Sequence, residues 1–187
     1  ILFMRRIYFT YIILVHISIA TSQRVVGYYP QWVQGSFTPD KIDYTVITHV
    51  IHSFAWPDEE GNILHYDNML SQSVTNTVHD NGAKILLCLG GWGQSWGFSA
   101  SMSTPELREI FIDNIISICE TYNYDGVDID WEQPANSTEK NNLTTFIAEL
   151  RQAFDDLYPD WIISMAVPVS NWSGQYYDFN QLKQSVD

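Results

Sequence analysis

Short runs of apolar and β-branched residues alternate along this chain with stretches in which apolar residues recur every three or four positions. The β-rich runs cover residues 25–32, 48–56, 84–92, 126–132 and 161–167. Runs of this length, separated by helical stretches, are typical of buried parallel strands joined by crossover helices. The pattern therefore predicts an α/β protein with about five parallel strands.

Three helices are predicted from the spacing of apolar residues. The clearest covers residues 107–119 and has Pro105 in its start signal. A second covers residues 143–157 and ends before Pro159, and a weaker one covers residues 69–81. This order of elements fits an open doubly wound sheet or part of a (β/α)8 barrel, and the first is disfavoured because no Gly-rich dinucleotide turn follows the first strand.

The composition is that of a globular chain with an acidic surface. Hydrophobic residues make up 45% of the 187 positions, charged residues make up 17%, and the formal net charge is −13. Nucleic acids and anionic membranes bind basic patches, so this charge argues against both partners and is compatible with a neutral substrate. Aromatic residues reach 14%, which fits either an aromatic core or a cleft in which rings stack on sugars.

Residues 1–22 are predicted to be a secretory signal peptide. Two arginines precede an apolar run over residues 7–20, and small residues suited to cleavage follow. The run is short for a membrane-spanning helix, which needs about 20 residues, and an uncleaved signal anchor is the alternative. Met4 is an alternative start. We expect a secreted, extracellular, monomeric mature chain over residues 23–187, without a membrane segment.

Asn136, Asn142 and Asn171 each begin an Asn-x-Ser/Thr sequence. Behind a signal peptide they are expected to carry glycans on surface loops. The two cysteines, Cys88 and Cys119, lie in apolar stretches, which favours free buried thiols. A disulfide remains open, because spacing alone cannot decide it.

The fourth predicted strand carries a carboxyl group at every second position. Residues 125–132 read DGVDIDWE, and side chains alternate across a strand, so Asp128, Asp130 and Glu132 share one face. Like charges this close repel, so at least one carboxyl should hold a proton at neutral pH and act as a general acid. A divalent-metal site and a solvated edge strand are the alternatives, and the flanking apolar residues disfavour the edge strand.

The segment over residues 125–132 resembles the DxxDxDxE signature of family 18 glycoside hydrolases, the chitinases. Residues 84–92, which read KILLCLGGW, resemble the family's third-strand SxGGW motif, and residues 27–29 and 53–55 resemble its first and second strands. The resemblance covers residues 24–187. It implies a (β/α)8 TIM barrel, truncated here to about the first five strand–helix units, because a complete barrel needs about 250 residues.

The family implies retaining hydrolysis of chitin and chitooligosaccharides, in which the acetamido group of the substrate is the nucleophile. By this resemblance Glu132 is the general acid and base, Asp130 orients the acetamido N–H, and Asp128 shares a proton with Asp130. Tyr28 supplies a supporting hydrogen bond at the substrate site. Trp92 stacks on a sugar, with a core tryptophan as the alternative. Neither a cofactor nor a metal is implied.

Other motif residues are expected to be structural or to depart from the family pattern. Asp125, Gly90 and Gly91 are interpreted as structural residues of the two motifs. Cys88 stands where the family usually has serine, and a thiol is a weak hydrogen-bond partner for the acids. Gln133 stands where an aromatic residue usually follows the catalytic glutamate.

Several functions remain open at this point. The family's sixth-strand Met-x-Tyr-Asp motif and eighth-strand tryptophan do not occur here, so residues 23–187 alone are expected to be inactive. A non-catalytic chitin-binding lectin, an endo-β-N-acetylglucosaminidase and a truncated inactive product are the alternatives. Lectin-like members typically lose the equivalent of Glu132, so its presence favours an enzyme. Trp92 favours a chitinase, for which endo-type cleavage is expected.

Overall fold

The structure, a computed structural model, describes residues 23–170, 172 and 174–187, so the predicted signal peptide and the glycosylation site at Asn171 lie outside the described residues. The strands in the described part are β1 (Val26–Pro30), β2 (His49–Pro57), β3 (Ile63–His65), β4 (Lys84–Gly90), β5 (Gly126–Asp130) and β6 (Ile162–Met165).

Five of these strands are parallel and form one sheet in the order β1-β2-β4-β5-β6. This confirms the five predicted parallel strands. The short β3 pairs antiparallel with β2 and was not predicted, because three residues are too few to show an alternation. Strand β5 lies between β4 and β6, so the alternative of a solvated edge strand is wrong.

The helices in the described part are α1 (Gln72–Asp80), α2 (Phe98–Ser101), α3 (Pro105–Tyr122), α4 (Ser137–Leu157) and α5 (Phe179–Leu182). Two 3-10 turns, Gln31–Val33 and Pro39–Lys41, connect β1 to β2. None of the helices in this part of the chain is long and apolar enough to cross a membrane.

Helix α4 begins well ahead of the predicted residue 143, because Asn136 caps it. The side-chain oxygen of Asn136 accepts a hydrogen bond from the backbone N–H of Glu139 at 3.0 Å. Asn142 consequently lies within the helix, and the expectation that it lies on a loop is wrong. Asn136 is exposed at the helix start, as a surface acceptor for a glycan would have to be.

The two faces of the sheet have different cores. Val127, Ile129 and Trp131 belong to a large apolar cluster that includes Phe111 of α3 and Phe146 of α4. Burying an aromatic or aliphatic side chain of this size stabilises the fold by roughly 1.5–3 kcal/mol. The opposite face carries a smaller apolar cluster, composed of Ile51, Leu86, Cys88 and Ile162 with Phe54 packed against it.

The two cysteines are separated by the sheet. Cys88 belongs to the smaller cluster and Cys119 to the larger one, and both are free and fully buried. The expectation of free buried thiols is confirmed, and the alternative of a disulfide is wrong.

Candidate active site

Three carboxyl groups follow one another along β5 and past its end. Asp128 and Asp130 lie on the strand and are 3% and 8% exposed, whereas Glu132 lies two residues beyond the strand and is exposed. Because Val127 and Ile129 pack against the helices, the two aspartates that alternate with them, Asp128 and Asp130, point to the other face of the sheet. This is the arrangement expected from the alternation of the sequence.

Asp128 accepts hydrogen bonds from residues on three other strands of the sheet. The Tyr28 hydroxyl on β1 donates to Oδ2 at 2.8 Å, and the Ser164 hydroxyl on β6 donates to Oδ1 at 2.6 Å. The Cys88 thiol on β4 also donates to Oδ2, at 3.4 Å. Burial, followed by the charge of Asp128, raises the pKa of both Tyr28 and Cys88, so both groups keep their protons and act as donors. Three donors directed at one carboxyl match a carboxylate, which can only accept.

Asp130 has different surroundings, although it lies only two residues away. Its carboxyl forms no hydrogen bond or ion pair with any residue that the structure describes. Burial, then the charges of Glu132 and Asp128, raise the pKa of Asp130 from 3.8 to about 6. A carboxyl in this range exchanges protons near neutral pH, and its oxygens are available to a ligand.

An open cleft of about 500 Å³ lies over the acids. It is lined by aromatic rings, amides and two of the carboxyl groups: Gln31, Trp32, Phe54, Tyr66, Trp92, Gln94, Asp130 and Glu132. Trp92 is 90% exposed, so the alternative of a core tryptophan is wrong. Exposed aromatic faces beside carboxyl groups suit a ligand with both apolar faces and polar edges, such as a sugar.

The turn that carries Trp92 approaches β5 closely because it contains two glycines. Gly90 has φ +113°, and a Cβ atom there would lie 2.2 Å from the carbonyl oxygen of Asp130. Gly91 has φ +89°, and its N–H donates to the same carbonyl at 2.8 Å. Any larger residue at Gly90 would displace this turn from the acids.

Asp125 lies at the start of β5 and does not line the cleft. Its Oδ1 accepts a hydrogen bond from Lys84 Nζ at 2.6 Å, and its Oδ2 accepts from His79 Nε2 at 2.7 Å and from the backbone N–H of Ile85 at 2.8 Å. These contacts join the start of β5 to α1 and to β4, which is what a structural role for Asp125 requires.

Several residues of the site escaped the sequence analysis. Ser164 pairs in register with Asp128, and its hydroxyl within an otherwise apolar strand was a signal that could have identified it. Ser95 and Tyr177 contact the backbone beside Glu132, and neither belongs to a periodic pattern. Among the residues that the structure describes, no group of three His, Cys, Asp or Glu side chains is arranged to hold a metal ion.

The chain is similar to known proteins over nearly all of its described length. The model of the family described as "Glycosyl hydrolases family 18" matches residues 24–187. "Probable chitinase 10" of Drosophila melanogaster is 30% identical over 73% of this chain and 7% of that protein. A "chitinase-like effector" of Moniliophthora roreri is 31% identical over 67% of this chain and 33% of that protein.

The solved structures agree with the sequence comparison. The crystal structure of Ostrinia furnacalis Group IV chitinase in complex with allosamidin superposes with a TM-score of 0.80 at 28% identity, covering 87% of this chain and 48% of that one. The chain thus spans about half the length of that structure and a smaller share of the two relatives. The predicted fold, part of a (β/α)8 barrel, is confirmed.

Proposed function

The chain belongs to family 18 of the glycosyl hydrolases, and from that premise we propose that the full-length protein hydrolyses chitin and chitooligosaccharides with Glu132 as its general acid and base. The observation that carries the proposal is the cleft in which Glu132 and the buried Asp130 lie beside the exposed rings of Trp32 and Trp92. Rings stack on sugar faces, and the carboxyl groups supply the proton transfers.

Glu132 begins the proposed reaction by protonating the glycosidic oxygen. The acetamido oxygen of the same sugar attacks the anomeric carbon, the bond to the leaving sugar breaks, and a cyclic oxazolinium-like intermediate forms. Glu132 then removes a proton from the water that opens this intermediate, which returns the acid to its starting state. The exposure of Glu132 at the end of β5 supports this role, because a substrate can reach it.

Asp130 and Asp128 are proposed to support the acetamido nucleophile. The carboxyl of Asp130 accepts a hydrogen bond from the acetamido N–H, and its negative charge stabilises the positive charge that develops on the intermediate. Asp128 shares a proton with Asp130. Tyr28, Ser164 and Cys88 keep Asp128 in place, which supports a fixed distance between the two acids.

We expect this reaction to occur outside the cell, in a monomeric protein from which residues 1–22 have been removed. Cleavage within the polymer is the expected mode, because the cleft is open above the acids. A second candidate function is binding of chitooligosaccharides without hydrolysis. The exposed rings of Trp32 and Trp92 favour it, because stacking on a sugar needs no proton transfer.

The test is hydrolysis of chitopentaose by the full-length protein, with Glu132→Gln as the decisive variant. The amide has nearly the shape of the carboxyl but donates no acidic proton, so the rate should fall by about 10²–10⁴-fold while oligosaccharide affinity is kept. The first product anomer seen by NMR should retain the β configuration. Glu120→Gln, at an exposed position on α3, is the matched control and should keep the full rate.

The same measurements separate the two candidate functions. A wild-type protein that binds chitopentaose without cleaving it would establish the binding function. Hydrolysis that survives in the Glu132→Gln variant would show that another group is the acid, and the mechanism above would be wrong.

A further inference from the structure

The backbone around Glu132 is held by side chains from two distant segments. The backbone N–H of Glu132 donates to the Ser95 hydroxyl at 2.9 Å. The Tyr177 hydroxyl donates to the carbonyl oxygen of Trp131 at 2.7 Å. These two groups flank one peptide bond, the one that joins residue 131 to residue 132.

Ser95 also connects this peptide to the turn after β4. While its oxygen accepts from Glu132, its hydroxyl proton is directed to the carbonyl oxygens of Gly91 and Asp130, at 3.2 and 3.4 Å. A hydroxyl has one donor and can accept at the same time, so all of these contacts are compatible with one rotamer. The turn that carries Trp92 and the backbone of Glu132 are thereby fixed to each other.

Tyr177 is suited to hold the other side of the peptide. Its side chain is 4% exposed and stacks on Phe179, with ring centroids 5.8 Å apart. Burial, followed by the charges of Asp130 and Glu132, raises the pKa of Tyr177, so its hydroxyl keeps its proton at neutral pH and can donate it. The ring therefore approaches the peptide from the α5 side as a rigid donor.

Glu132 needs such contacts because strand pairing does not reach it. The last pair between β4 and β5 is Gly90 with Asp130, and β5 ends there. The carboxyl of Glu132 forms no hydrogen bond with the residues that the structure describes. A general acid must lie within about 2.6–3.2 Å of the oxygen that it protonates, and a displacement of about 1 Å can cost about 10²-fold in rate.

We propose that Ser95 and Tyr177 are positioning residues that fix the peptide between residues 131 and 132 and so direct the Glu132 carboxyl at the glycosidic oxygen. This inference rests on the proposed function, because it assigns the two residues to the acid of that reaction. Neither side chain needs to contact the substrate.

The test uses two substrates that differ in their need for an acid. A chitooligosaccharide releases a sugar hydroxyl, which must be protonated as the bond breaks, whereas the 2,4-dinitrophenyl glycoside of chitobiose releases an anion that needs no proton. The values of kcat/KM, which report on steps up to bond cleavage, should fall about tenfold for the oligosaccharide in Ser95→Ala and in Tyr177→Phe. For the dinitrophenyl substrate they should fall less than about twofold.

Matched controls remove hydrogen bonds of the same kind elsewhere. Tyr44→Phe removes a hydroxyl that donates to the carbonyl of Pro39 at 2.7 Å, and Ser101→Ala removes one that donates to the carbonyl of Phe98 at 3.3 Å. Both control variants should keep the wild-type kcat/KM on both substrates.

Ser95→Thr keeps the hydroxyl and should restore the rate on the oligosaccharide. If Tyr177→Phe does not fold, the variants at position 95 decide the matter alone. An equal loss on both substrates, or no loss on either, would overturn the positioning role. Failure of the proposed function is a separate result: the wild type would leave both substrates intact, or Glu132→Gln would keep its rate on the oligosaccharide.

Discussion

Strand β5 is preceded by one aspartate and ends on another, and the two have opposite surroundings. Asp125 accepts hydrogen bonds from Lys84, His79 and the backbone of Ile85, at 2.6 to 2.8 Å. Asp130 is more deeply buried and has none of these partners within the described residues. The same type of residue thus has two roles: Asp125 joins structural elements at one end of the strand, and Asp130 remains available to a ligand at the other.

The comparison shows how a parallel sheet separates stability from chemistry. In barrels of this class, residues after the carboxyl ends of the strands perform the chemistry, and the amino ends contribute stability. Here the difference is visible within the six residues from Asp125 to Asp130. It predicts that the same Asp→Asn substitution has opposite consequences at the two ends.

The largest effect is expected for Asp130→Asn on activity. An amide cannot supply the negative charge that stabilises the proposed intermediate, and loss of one such electrostatic group typically costs about 10²–10³ in kcat. The measurement is kcat on chitopentaose, with Asp113→Asn, at an exposed position on α3, as the control. A rate within threefold of the wild type would show that the charge of Asp130 has no part in the reaction.

The same variant should be more stable than the wild type at neutral pH. The pKa of Asp130 is about 6 in the folded protein and 3.8 in the reference state, so the folded protein binds the extra proton more tightly. The contribution of Asp130 to the stability of the wild type therefore falls as pH rises from about 4 to about 6, by up to about 3 kcal/mol. The Asp130→Asn variant does not lose this stability, because an amide does not ionise.

Chemical denaturation at a series of pH values measures the effect. The two proteins should have equal free energies of unfolding near pH 4 and differ most above pH 6. A constant difference at all pH values would show that Asp130 does not titrate in this range.

Asp125→Asn should lower stability and leave catalysis intact. The amide keeps one acceptor oxygen, but it loses the charge that pairs with Lys84 and the second acceptor. We expect a loss of about 1–2 kcal/mol in the free energy of unfolding. Well below the unfolding temperature, kcat should stay within twofold of the wild type. A tenfold loss of kcat without a loss of stability would contradict the structural role.

The smallest effect is expected for Lys84→Gln, which removes only one partner of Asp125. The Lys84 side chain is 47% exposed, and exposed ion pairs contribute at most about 1 kcal/mol. The difference from the wild type should shrink further at 1 M salt, because the pair is screened. A loss as large as that of Asp125→Asn would mean that Lys84, and not the backbone N–H of Ile85, is the main partner.

The sequence predicted this site to the extent that the site depends on local geometry. Alternation along β5 correctly separated Asp128 and Asp130 from Val127 and Ile129, because the period of two is a property of any strand. The start of α3 was also predicted, because Thr104 caps it through its own side chain.

The remaining features depend on contacts between distant parts of the chain. The partners of Asp125 lie 40 to 46 positions away and are set by the register of β4 and the docking of α1. Ser95 and Tyr177 form hydrogen bonds with backbone atoms, which every residue has. The type of the contacted residue therefore gives no sign in the sequence that such a contact exists. The early start of α4 depended on Asn136, which the sequence analysis had interpreted only as a glycan acceptor.

The hydrogen bond between Tyr28 and Asp128 joins residues that are 100 positions apart. Contacts of such long sequence separation form late, because the intervening chain must first lose its conformational freedom. A ribosome that adds about 5–20 residues per second needs roughly 5–20 s to extend the chain from one partner to the other. During that interval β1 exists without the strand on which its tyrosine depends. The acid cluster is thus a late product of synthesis, complete only after β6, which carries Ser164, has also been made and has paired with β5.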